Sequence, residues 1–172
     1  MTEIVRVLRL LLLGLWLGAA IFFGAAVAPA LFGVLHGANL ANANELAGTI
    51  VSRLLSIINR GGFEISLFLI VTAYFMNRNE SRLRRLAEMI SLAIMAIMTG
   101  VGHWVIAARM SALRAAMQGH IDQIALSDPR RIAFDSLHGY SVTVMAVAML
   151  AGLVAFVIIA RGTSPTVREG SD

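Results

Sequence analysis

The chain has 172 residues, of which 58% are hydrophobic and 14% charged, with a net charge of +4 and a mean hydropathy of +0.80. Apolar runs this long are too much for one small soluble domain to hide, so an aqueous globular fold is disfavoured. The absence of cysteine excludes disulfides, thiolate zinc sites and iron–sulfur chemistry.

The first apolar run, about 10–35, carries no charged residue and is long enough to cross a hydrocarbon core of about 30 Å at ~1.5 Å per residue. Arg6 and Arg9 precede it and Ala26-Val27-Ala28 closes it, a pattern that resembles a secretory signal. The run is longer than the usual signal core and Pro29 follows the would-be cut, so the expectation is a retained first helix with a proline bend. Gly14 and Gly18 form a GxxxG pattern that allows close helix approach.

After a connection over 33–52, a second span is expected at about 54–76. In it Arg53, Ser56, Arg60 and Glu64 recur at spacings of three and four and share one helical stripe, with Arg60 and Glu64 as an i, i+4 pair. The connection from Asn77 to Arg85 holds Arg78, Arg82, Arg84 and Arg85. Together with Arg6, Arg9, Arg161 and Arg168 it places both termini in the cytoplasm by the short-loop charge rule. All basic residues are arginine, and the pI of 11.0 reads as topology and contact with anionic lipid headgroups, with no nucleic-acid partner.

The third span, about 89–108, carries His103 and ends at Arg109; Met110 to Met117 are good helix formers expected to continue it. Ser127-Asp128-Pro129 reads as a turn that starts the next helix. The fourth span, about 134–160, aligns His138, Ser141, Met145 and Met149 on one stripe, with Asp135 one turn before His138. Ala148 and Gly152 repeat the small-residue spacing. Residues 162–172 read as a disordered cytoplasmic tail.

The expected fold is therefore all-α, an integral membrane four-helix bundle over 1–161. By helical rise, Arg60, His103 and His138 each fall about 6 to 9 Å below the outer boundary. The expectation is a polar cluster of Arg60, Glu64, His103, Arg109, Asp135, His138 and Ser141. Three readings stand beside one another. The cluster locks the helices in register through buried hydrogen bonds. It binds or moves a small solute or an ion. Or His103 and His138, with Met145, hold copper or haem. No nucleophile–base–oxyanion arrangement is visible, so an enzyme is not expected, and no cofactor is the leading expectation.

Leu15-Trp16-Leu17-Gly18, Ala28-Pro29-Ala30-Leu31-Phe32, Arg109-Met110-Ser111-Ala112-Leu113-Arg114 and Asp128 to Ser141 together resemble the transmembrane protein 205-like family, domain of unknown function 4149. That family is distantly similar to copper-resistance protein D-like membrane proteins. The resemblance implies a four-helix membrane domain with Trp16 and Gly18 in its first helix, Arg109 after the third span, and His138 and Ser141 at the head of the fourth. It implies no established activity. The expected setting is a bacterial inner membrane, multi-pass, with the lipid bilayer as partner and a homodimer or a larger membrane complex as the further options. In the complex, the chain is a structural or accessory subunit.

Overall fold

The computed structural model describes residues 2–38, 40, 42–76, 81–117 and 123–162. Among them the chain is all-helical and has no strand: α1 (Thr2–Phe22), α2 (Ala28–Gly37), α3 (Ala43–Met76), α4 (Arg82–Gly100), α5 (Ala107–Ala116) and α6 (Pro129–Ala160). Two π-helical turns, Phe23–Val27 and Val101–Ile106, join α1 to α2 and α4 to α5, so the six helices form four continuous rods. All four are long and apolar enough to cross a membrane. A spanning segment must satisfy its backbone internally, which helices do, and the protein is a multi-pass membrane protein.

The expected proline bend is a π turn. Pro29 has no N–H and its ring crowds the carbonyl four residues back, so the ladder shifts by one residue just before it and Ala28 N–H donates to Phe23 O. Beyond the turn the helix continues to Gly37. The second rod begins at Ala43, well before the expected start at 54, because 43–53 contains no proline and the burial of Ala43, Ala47 and Val51 outweighs the cost of Gly48. The third rod runs through Met110 to Ala116, as the helix-forming residues there predict. At the head of α6, Asp128 Oδ1 accepts the N–H of Arg130 at 2.8 Å and Pro129 occupies the first turn. Asp128 lies outside the spans. The side chain of Arg130 donates to it and holds its carboxyl at about 2, below the ordinary carboxylate value. The tail beyond residue 162, with Arg168, lies outside the described residues, as do Arg78 and His120.

The rods pack as a square, α1 against α3 and α6, and α4 against α3 and α6. Leu13, Trp16, Leu69, Leu92, Met95 and Ala148 form the core. Trp16 ties it together: its Nε1 donates to the carbonyl of Ile58 at 2.9 Å, and Gly62 and Gly152 lie against its indole from opposite rods. A Cβ at Gly62 would come within 2.5 Å of Trp16 Nε1 and 2.9 Å of Thr99 Cγ2, so only glycine allows that approach. Gly14 meets Phe156, whereas Gly18 faces open space; of the GxxxG pair, the first glycine packs inside the bundle. Arg6 donates to the carbonyl of Ala160 at 3.2 Å, so both terminal rods end on the same side of the bundle.

Candidate functional site

The end of the bundle opposite the termini is open. There α2, the start of α3, α5 and the head of α6 diverge and leave three adjoining cavities that share His138 and Val51 in their walls. One, of about 310 Å³, is polar at its mouth and is lined by Asn44, Arg114, Arg131, Asp135 and His138 among others. A second, about 340 Å³, runs between α3 and the third rod past Ser56, Asn59 and Ser141. The third, about 390 Å³, is almost wholly apolar and opens between the first rod and α6, walled by Phe23, Pro29, Val142, Met145 and Met149.

Arginine dominates the polar mouth. Arg114 donates to Thr49 Oγ1 at 3.3 Å and its guanidinium lies 5.3 Å from the centroid of Phe134, while its Nε is buried with no hydrogen-bond partner. Arg131 donates to the carbonyl of Ile124 at 2.6 Å. His138 is exposed into the space between them, and Asp135 is the carboxylate in the same wall. The Arg114 guanidinium with the His138 imidazole suits an anion, and the almost wholly apolar cleft that shares His138 suits a hydrocarbon portion.

The residues expected to cluster divide into four places. His138, Ser141, Met145 and Asp135 do line this crevice. His103 shares a 3.0 Å hydrogen bond between its Nδ1 and Ser56 Oγ, stands edge-on to Trp104, and is not in the walls of these cavities. Arg109 lies on the outside, beside Leu113, Ala133 and Leu137. Arg60 and Glu64 pair at 2.9 Å on the outward face of α3, with side chains 68% and 60% exposed. Ser52, in the crevice wall, is about 12 Å from Arg60 along the helix, so the pair stands apart from the crevice. Among the described residues no group of three or more His, Asp or Glu side chains is arranged to hold a metal ion.

A second polar centre, near the termini, was not expected. Arg9 Nη2 donates to Glu88 Oε1 across α1 and α4, with only 5% and 2% of the two side chains exposed, and Arg9 Nε is buried without a partner. Arg84 donates to the carbonyl of Ile158 beside it. The signal for it lies in helical phase. Arg9 shares its stripe with Leu13, Trp16 and Ala20, and Glu88 with Leu92, Met95 and Thr99, all buried.

The family described as Domain of unknown function (DUF4149) matches residues 11–119. The chain belongs to that family. The match starts within α1 and takes in the rest of the first rod and the second and third rods, including Trp16, Arg60, Glu64, His103 and Arg114, and stops before α6. No curated protein and no solved structure matches the chain. The DUF4149 assignment establishes kinship without an activity, so the chemistry rests on the crevice.

Proposed function

We propose that this DUF4149 member binds a small amphiphilic anion in the crevice at the end opposite its termini. The anionic group meets Arg114 and His138, and the hydrocarbon part lies in the cleft walled by Phe23, Val142, Met145 and Met149. The observation that carries this reading is the joining of a polar and an apolar cavity at one side chain, His138. With the arginine-rich end in the cytoplasm of a bacterial cell, the crevice opens on the outer face of the inner membrane, and its lateral mouth admits a ligand from the bilayer. The solute reading stands ahead of a haem or copper one because His103 is engaged by Ser56 and is absent from the walls around His138.

The test is a titration of a fluorescent alkyl phosphate, with an alkyl trimethylammonium as the control of opposite charge, into nanodiscs holding the protein. Saturable binding of the phosphate is expected, with none for the ammonium. Arg114→Ala is expected to weaken it roughly tenfold or more, the scale of a hydrogen bond to a charged group. His138→Ala weakens it without moving the melting temperature. Equal partitioning of both amphiphiles into loaded and empty nanodiscs would overturn the reading.

A further inference from the structure

The outward face of α3 has a regular pattern. Arg53, Ile57, Arg60, Glu64, Leu67 and Val71 follow one another at alternating steps of four and three, and every one is exposed. A strict seven-residue repeat keeps such a seam straight along one side of a helix, in the geometry that lets a second helix pack at about 20°. Any lipid-facing helix exposes a stripe, but a stripe meant for lipid is apolar; this one carries an ion pair at its middle.

Depth makes that pair a problem for an isolated chain. Arg60 and Glu64 flank Gly62, which faces Thr99 and Trp16. By helical rise Gly62 is about 14 Å from Arg53, and Thr99 about 15 Å from Arg109, while on the other side Gly152 is about 12 Å from Ala160. Half of a hydrocarbon core is about 15 Å, so the pair sits near the bilayer midplane. A guanidinium has five N–H donors and Glu64 takes up Nε, which leaves donors turned toward hydrocarbon with no water to meet them. Charges at this depth are satisfied by protein.

We infer that α3 is the interface of a homodimer, in which the Arg60–Glu64 pairs of two copies close into one four-charge network. The stripe is its own complement. A two-fold axis along the membrane normal places two guanidiniums in one layer and two carboxylates in the next, one helical turn apart. Each guanidinium then bridges its own Glu64 and that of the second copy, and the network is neutral in sum. A different partner would have to carry a matching pair at the same depth, whereas a second copy carries it by identity. The inference does not depend on the crevice, which meets the stripe only at Arg53, at one end of it.

Because the chain has no cysteine, single cysteines report on the interface in native membranes. A disulfide forms only where two Cα atoms approach within about 7 Å, so oxidation is a demanding probe of the seam. Ile57→Cys and Val71→Cys are expected to give a band of twice the chain mass, and Leu11→Cys and Leu150→Cys, exposed on other rods, to give none. In the Ile57→Cys background, Arg60→Glu removes the band and the swap Arg60→Glu with Glu64→Arg restores it. Equal cross-linking at the control positions, no dimer from the seam positions, or a product of another mass would overturn the inference. So would a band that survives Arg60→Glu undiminished. If that single variant fails to accumulate, the cysteine positions and the swap still decide.

Discussion

Two arginine–glutamate pairs of the same chemistry sit in this bundle in opposite surroundings. Arg9–Glu88 joins two rods and is shut off from lipid and water alike; Arg60–Glu64 is internal to one helix and lies on its outer surface. The first pair ties tertiary structure together, because breaking it strands a charge among packed side chains. The second contributes little to the fold of one copy, since neither partner is held by another rod. What differs is which group is left to solvate each charge, and that is set by helix facing rather than by the residues.

The largest effect separating the pairs is expected from Glu88→Ala, which leaves Arg9 buried and uncompensated at a cost of about 3–5 kcal/mol. Thermal unfolding in mild detergent reads it. Replacing both partners together, Arg9→Met with Glu88→Leu, is expected to recover most of that loss, since an apolar pair of similar volume is often neutral or stabilising. Failure of the double variant to recover would mean that the pair does more than neutralise itself. Next is Gly62→Leu, at the level of Trp16: the added side chain collides with the indole and Thr99 and costs about 1–3 kcal/mol, with the Trp16–Ile58 hydrogen bond lost. Arg60→Ala is expected to change the melting of detergent-solubilised monomer by less than about 1 kcal/mol, as for an exposed i, i+4 pair. A large loss there would place Arg60 inside the fold after all.

The smallest effect belongs to a third pair, Asp128–Arg130, at the head of α6. The Asp128 carboxyl is held at about 2 in the folded chain against an ordinary 3.8. The folded value is the lower one, so the stabilisation is present above pH 3.8 and fades as pH falls through about 2. Loss of order at the start of α6 over that window, followed by NMR of Arg130 N–H, checks it, and Asp128→Asn should abolish the pH dependence.

Much of the fold was legible from local pattern. The four apolar runs, the Asp128-Pro129 start of α6 and the continuation of the third span through Ala116 all depend on residues close in sequence. Facing was less legible. On a helix that is apolar all round, a 3.6-residue period shows that Arg60 and Glu64 share a stripe but not whether the stripe points inward. The Arg9–Glu88 contact joins residues far apart in the chain, and Arg9 read as one more rim charge beside Arg6. Of the expected cluster, His138, Ser141 and Asp135 meet because α6 carries them on neighbouring faces, whereas His103 lies beyond the start of a π turn that no 3.6-residue count anticipates.

That turn has a further consequence. The π turn takes in one extra residue without the rotation of about 100° that an α-helical residue adds, so Met110 and Arg114 point where a plain α-helix of this sequence would have placed their neighbours. Tightening Val101–Ile106 into plain α-helix with every residue kept would turn α5 by that angle and take Arg114 off the crevice, whereas deleting one residue of the turn would restore α winding and leave Arg114 facing it. The reach of Arg114 into the crevice is thus written partly in the winding of a helix, and can be lost with no crevice residue changed.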